Sequence, residues 1–400
     1  MNIVLIDLPD HWNQLLPFTY TRPISEIRVG VLKIADKWRN RINRDVSYST
    51  EEYLSHKFPE LGGDDILYIN STILPDDAIL RRLLTLKSGD VLYGGEDFIA
   101  ARSDKPLSEA IKRQNFEGFT KKEYSAKYSH LTYPSDIFRL NGEEIRADFD
   151  LITLGWESEE ITDPHTMVYD VNRIFVEEGA QIRASVIDAT TGPVYIGKDA
   201  TVEPGSVIRG PFALLPNATI NIGTKVRGDT TVGPYCKVGG EISNTVFFGY
   251  ANKGHDGFIG NSVVGEWCNF GAGTNVSNLK NNYTQVKVWD YPKKGFRKTD
   301  LTFHGLLMAD HAKCGINSMF NTATTVGVGA NIFGAGYPRT FIPSFSWGGA
   351  SGYSTFNLEK FYEMTELVMQ RRKRSLNTVD MDILKHIFES TENYRTWDKK

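Results

Sequence analysis

Ile196, Val202, Ile208, Leu214, Ile220, Val226, Val232 and Val238 form an unbroken register of one aliphatic residue every six positions. A second set follows four residues behind each: Ala200, Ser206, Phe212, Ala218, Thr224, Thr230 and Cys236, in which only Phe212 is large. A helix does not repeat at six. Six is a multiple of the strand period of two, so both sets point to one side of short extended segments joined by turns. This is the hexapeptide pattern of a parallel β-helix.

The register breaks and resumes twice. It returns as Phe258, Val264, Phe270 and Val276, with Ser262, Cys268 and Thr274 in the small slots, and again as Met308, Cys314, Phe320, Val326 and Ile332, with Ala312, Ser318, Thr324 and Ala330. Gaps in so strict a repeat read as insertions that leave the coil, and insertions on a solenoid carry its binding function. Residues 245–257 and 278–305 are therefore the first places to look for chemistry.

Composition sets bounds on the rest. The chain has 400 residues, 40% hydrophobic and 24% charged, with a formal net charge of −4, enough to bury a core in each of two domains. That balance gives no reason to expect nucleic acid, and no run approaches membrane-spanning length. The start, MNIVLIDLPD, has neither a basic leader nor a cleavage pattern, so a cytoplasmic protein is expected. All three cysteines fall in repeat slots, which points to core packing rather than metal or disulfide.

Residues 1–160 alternate strand-like segments (MNIVLID, DDILYINSTIL, DVLYGG) with helix-like ones (VGVLKIADKWRN, DAILRRLLTL, PLSEAIKRQ), the pattern of a mostly parallel, Rossmann-like α/β sheet. PSDIFRLNGEEIRADFDLIT reads as a helix leading to a β-helix over 172–350, whose open end FGAGYPRTFIPSFSWGG closes. Residues 351–400 form a helical tail. One amphipathic helix runs over Asn357–Arg374 and ends in RRKR, best read as a solvated turn suited to the helix dipole; a second covers MDILKHIFEST.

The first gap contains NKGHDGFIG, placing His255 between glycines beside Lys253 and Asp256. Histidine is the side chain best suited to exchange a proton near neutral pH, and a loop projecting from the coil would expose it to a substrate. From Asn252 to Asn278 the chain reads NKGHDGFIGNSVVGEWCNFGAGTNVSN, and this stretch resembles the acetyltransferase half of the bifunctional UDP-N-acetylglucosamine pyrophosphorylase/glucosamine-1-phosphate N-acetyltransferases, including their archaeal sugar-1-phosphate relatives. The counterparts are Lys253 and His255, then Asn269, Phe270, Gly271, Ala272, Gly273 and Thr274, then Asn278 and Leu279. GPFALLP at 210–216 matches a family signature on an earlier rung.

The resemblance implies a left-handed β-helix and an acetyl-CoA-dependent N-acetyltransferase acting on an amino sugar phosphate or sugar nucleotide. It implies His255 as general base, Lys253, Asn269 and Asn278 as substrate-binding residues, and Ala272, Gly315, Ala330 and Gly334 along the groove for the coenzyme A thioester. A homotrimer follows by the same analogy. The sequence departs from the family where phosphate anchors are expected: Ser243 replaces a lysine, Leu215 is followed directly by Pro216 without an arginine, Phe258 stands for a tyrosine and Thr284 for a lysine. Lys280 and Lys287, in the second gap, are the candidate replacements.

LLPFTYTRPISEIRVGVLKI at 15–34 resembles the P-L-T-x-x-R-P segment of sugar nucleotidyltransferases, a resemblance that implies nucleotide binding at Arg22 and a Mg²⁺ ion. The residues themselves favour a structural role for Arg22. The phosphate-cradling loop that should follow the first strand reads DLPDHWNQ, without glycine, and YINST offers Asn70, Ser71 and Thr72 where a magnesium carboxylate is expected. Two competing readings remain: a catalytically silent trimeric scaffold or sensor, and a solenoid metal hydratase using His255, His304 and His311, whose spacing does not suit it.

Overall fold

A computed structural model describes residues 1–398, which divide into two compact units, 1–28 with 32–134, and 29–31 with 135–398. The division at 134 differs from the boundary expected near 160, because helix Pro134–Thr153 makes its contacts with the second unit.

The first unit is built on a six-stranded sheet in the order Val46–Ser49, Asn2–Ile6, Ile66–Asn70, Asp97–Ser103, Asp90–Gly94, Thr120–Glu123. The three strands that sequence reading identified are present, and three more join them. The sheet is mixed: Asn2–Ile6 pairs in parallel with both neighbours, whereas Asp97–Ser103 runs antiparallel to Ile66–Asn70 and to Asp90–Gly94. Gly95, at φ 67°, makes the tight turn of that hairpin. The edge strand Thr120–Glu123 (TKKE) is polar throughout and carries no hydrophobic signal. Val4, Ile6, Tyr68, Val91, Phe98, Ala101 and Ile111 form one core.

The second unit is the left-handed β-helix. Its strands stack in parallel, with Ile196, Leu214 and Val232 on one face, Val202, Ile220 and Val238 on the next, and Ile208 and Val226 on the third. Partners are 18 residues apart, so three hexapeptides make one coil. The aliphatic slots are buried in a single core, except that Ile259 takes the inward position expected of Phe258, which pairs beside Glu241, because the shortened coil shifts the phase by one. The small slots face the corners: Ser206, Thr224, Thr274, Ser318 and Thr324 each donate a side-chain hydrogen bond to the carbonyl three residues earlier. An alanine there would leave that corner carbonyl without this bond.

The two gaps have opposite causes. At the first, Val226 pairs with Ile242, Val238 is in register with Lys253, and Ile242 pairs with Ile259, offsets of 16, 15 and 17. The coil is shortened there, and nothing projects, contrary to the expected insertion. At the second, Val264 pairs with Met308, Phe270 with Cys314 and Val276 with Phe320, each 44 residues on. This is a true insertion, and it folds as the hairpin Lys287–Asp290/Gly295–Lys298. The segment expected to close the end supplies one further rung at Phe341–Ile342 and then doubles back as Ser346–Gly349/Gly352–Thr355.

Successive corners carry residues in the left-handed region, and four of these stack: Tyr235 on Tyr250 at 5.1 Å, Tyr250 on Trp267 at 4.2 Å and Trp267 on His311 at 6.4 Å. Helices Leu358–Gln370, capped by the Asn357 side chain, and Thr378–Ser390 complete the unit. Cys236, Cys268 and Cys314 are buried thiols, not disulfide-bonded. No helix among the described residues is long and apolar enough to cross a membrane.

Candidate functional site

His255 lies in the short turn between Asn252–Lys253 and Phe258–Val264, at one edge of the prism, and its side chain is exposed. The turns of neighbouring coils lie against it through backbone. Gly239 sits against Gly254 and the His255 N–H below, and Gly273 N donates to Asp256 O at 3.2 Å above. Asn317 N donates to Ala272 O at 2.7 Å on the next coil, and Gly315 abuts Phe333 on the one after. His255, Ala272, Ile316 and Gly334 thus share one phase of the edge in successive coils, about 4.8 Å apart per coil, with Gly315 one position earlier beside Gly271 and with Ile316 exposed between the small residues. A Cβ on Gly271 would come within 2.3 Å of the backbone of the next coil, so glycine is required there by stacking alone. At Gly334, φ 98° and open, no neighbour demands glycine except the backbone itself.

Not every residue implied by the resemblance reaches this edge. Ala330 is fully buried in the solenoid core, so it cannot touch a cofactor in the outer groove. Lys253 occupies an inward slot, 2% exposed, in register with Val238. Its Nζ donates to Gly239 O at 3.0 Å and to His255 O at 2.6 Å, and burial pushes its pKa down to about 8. From there it braces the His255 turn and does not face a substrate. Asn269 is exposed on the adjoining face, in register with Asn252 and Lys313. Asn278 sits at the far end of the other adjoining face, donating to the Asn261 side chain at 2.7 Å. Lys280 turns back on its own insertion to bond Gln285 O at 3.0 Å, and Lys287 lies exposed in the hairpin opposite Lys298.

Three cations near these faces escaped sequence reading. Arg227 lies one coil below Ser243 and pairs with Glu241 at 2.9 Å. Lys313 flanks Asn269, and its Nζ donates to His311 O at 3.0 Å. Arg372, from the RRKR turn, reaches the Asn252 side chain at 3.3 Å. The six-residue ruler already places Arg227 and Lys313 outward, one residue from an aliphatic slot; no local signal places Arg372.

The histidines do not converge. His304 is fully buried against the edge of Phe138, its pKa pushed down to about 4 by burial, and His311 is stacked under Trp267. Among the described residues no group of three or more His, Cys, Asp or Glu is arranged to hold a metal.

In the first unit, DLPDHWNQ forms the short helix Pro9–Gln14, with Trp12 buried and packed edge-on against Tyr20 and Tyr53. The glycine-rich loop is thereby replaced by a core contact. Asp7 is buried and accepts from Thr50 Oγ1 at 2.6 Å and from Ile24 N at 3.3 Å; its pKa is raised to about 6 by burial. The Asn70 amide is engaged with Phe98 O and with Thr72. These residues do not fit the magnesium ion that the resemblance implies, and no step is derived through one. Arg22 is 5% exposed, in keeping with a structural role.

Residues 3–157 match the family model "Sugar nucleotidyl transferase". Among curated proteins, the chain is similar to the bifunctional sugar-1-phosphate nucleotidylyltransferase/acetyltransferase of Sulfurisphaera tokodaii, 26% identical over 65% of this chain and 59% of the relative. It is also similar to the bifunctional protein GlmU of Micrococcus luteus, 24% identical over 76% of this chain and 61% of the relative, and to that of a Nostoc species, 26% identical over 40% and 36%. The chain thus spans less than two thirds of the length of these relatives. Among solved structures, the Francisella novicida UDP-N-acetylglucosamine acyltransferase is similar over 57% of this chain and 90% of that chain, at 15% identity and a TM-score of 0.26. Residues 3–157 therefore carry a sugar nucleotidyl transferase match, and two thirds to three quarters of the chain is similar to bifunctional sugar-1-phosphate nucleotidylyltransferase/acetyltransferases and GlmU proteins.

Proposed function

We propose that the second unit is an acetyl-CoA-dependent N-acetyltransferase acting on an amino sugar phosphate or sugar nucleotide, with His255 as the general base. One observation carries this reading: an exposed histidine at a solenoid edge, followed at that edge by Ala272, by Gly315 and Ile316, and by Gly334 on the next coils. An amino sugar is largely ammonium at neutral pH and attacks only as the free amine, so a base must remove a proton as the new C–N bond forms. The amine nitrogen attacks the thioester carbonyl, and the oxygen that gains charge is stabilised by N–H donors at the edge. Collapse of the tetrahedral intermediate forms the amide and expels the coenzyme A thiolate, which takes the proton held on His255. Asn269 and Asn278, on the two faces flanking His255, orient the sugar, and Arg227 is the nearest cation by register to replace the lost phosphate anchor at Ser243.

The reading extends to a cytoplasmic homotrimer in which a neighbouring coil completes the groove. For the first unit, the helix that replaces the phosphate-cradling loop supports a scaffold or sensor role without nucleotidyl transfer. The test is thiol release from acetyl-CoA with a panel of amino sugar phosphates and nucleotides. Turnover that falls by about 10²–10⁴ in His255→Ala is expected for a lost general base. Absence of turnover with every amine, or turnover untouched in the variant, refutes it, and light scattering that shows a stable active monomer refutes the shared groove.

A further inference from the structure

The true insertion builds something the His255 edge does not use. Its hairpin folds onto the last coils and the C-terminal segment, and together they enclose a cavity of about 630 Å³, within the size range of small-molecule sites. Two aromatic pairs line it: Trp289 stacked on Phe341 at 3.8 Å and Tyr353 on Trp397 at 5.4 Å. Lys294 and Arg339 line it too, and neither pairs with a carboxylate among the described residues. No described carboxylate borders the cavity. The Trp289 indole N–H is buried in the wall and lacks a hydrogen-bond partner among the described residues, and the Tyr353 hydroxyl meets the Arg339 backbone.

We propose that this cavity is a binding site for a nucleoside phosphate, separate from the acyl-transfer edge. A planar base suits walls made of stacked rings, because stacking tolerates any base that offers a π face. A phosphate suits two cations with no competing carboxylate, and the arginine fork matches phosphate oxygens. An acyl chain would leave both cations unused, and an inorganic anion would leave the rings unused. Lys294 and Trp289 belong to the inserted hairpin, so the site exists only because the coil was interrupted.

The inference does not rest on the acetyltransferase reading. ADP titrated into the full chain, followed by tryptophan fluorescence and by calorimetry, is expected to bind saturably, with adenosine and pyrophosphate each at least ~10-fold weaker, since each offers half of the recognised chemistry. The Lys294→Ala/Arg339→Ala double variant, altered only at exposed side chains, is expected to weaken ADP by ~10–100-fold. His255→Ala should leave ADP binding unchanged. Coenzyme A competing with ADP would identify the nucleotide as the coenzyme's own; failure to compete would identify a free nucleotide. No saturable ADP binding, or ADP binding of equal strength in the double variant, overturns the proposal.

Discussion

A lysine stands where the β-helix requires an aliphatic residue, and its cost can be worked from the geometry. Lys253 is 2% exposed, and its pKa falls from an ordinary 10.5 to about 8. The folded protein therefore resists the proton that the unfolded chain keeps. Between those values the unfolded state binds more protons, so stability rises with pH across roughly 8 to 10.5. At 1.36 kcal/mol per pKa unit, the penalty carried at neutral pH is about 3 kcal/mol. Opposing it are two hydrogen bonds to Gly239 O and His255 O, and removing the ammonium leaves both carbonyls to find other partners, at about 1–3 kcal/mol each. Lys253→Met fills the slot without charge, so the two effects should roughly cancel near pH 7. Their pH dependence does not cancel. Denaturant unfolding of both proteins at pH 7, 8, 9 and 10 should show the wild type gaining about 2–3 kcal/mol on the variant over that range. Lys313, whose pKa is likewise pushed down to about 8, contributes equally to both curves and drops out of the difference. A difference that stays flat with pH would refute the buried-ammonium account.

Asp7 provides the mirror case in the first unit. Its pKa is raised from 3.8 to about 6, so its neutral form stabilises the fold at low pH and that contribution is lost as pH rises through 6. Asp7→Asn should match the wild type near pH 4 and exceed it by up to about 3 kcal/mol at pH 7.5 in thermal unfolding; a loss of stability at pH 7.5 would mean that the carboxylate is needed in its charged form. Trp267→Ala removes a nearly buried ring that stacks on Tyr250 and His311, and should cost about 3–5 kcal/mol in denaturant unfolding. A cost under 1 kcal/mol would show that the stack adds nothing to the corner.

Much of the second unit was legible because its signal is local and repeated. Inward and outward positions alternate with strand period, and the small slots lie where a corner carbonyl needs a nearby hydroxyl, so each rung could be placed from the residue types. The first unit was harder. The strand Thr120–Glu123 has no apolar face to betray it, and the antiparallel pairing of Asp97–Ser103 follows from a tight turn at Gly95 that a parallel α/β reading does not anticipate.

The candidate site was legible in part. The ruler and the resemblance together placed His255, Ala272 and Gly334 at one phase of an edge, with Gly315 one position off it, because corners of equal phase stack. The resemblance misplaced Lys253, which the shortened coil turns inward, and Ala330, which the ruler itself assigns to an inward small slot.

By itself, the sequence determined the solenoid and most of its core slots, since each follows from short-range periodicity. Only the tertiary structure decided what the interruptions are. A shortened coil and an inserted loop both shift the phase of a repeat, and sequence reports only the phase. Pairing between coils distinguishes them: offsets of 15–17 residues pull Lys253 inward, and offsets of 44 send a hairpin outward to meet Phe341 and Tyr353. The aromatic cavity beneath that hairpin joins residues more than a hundred positions apart, and no local pattern encodes such a meeting.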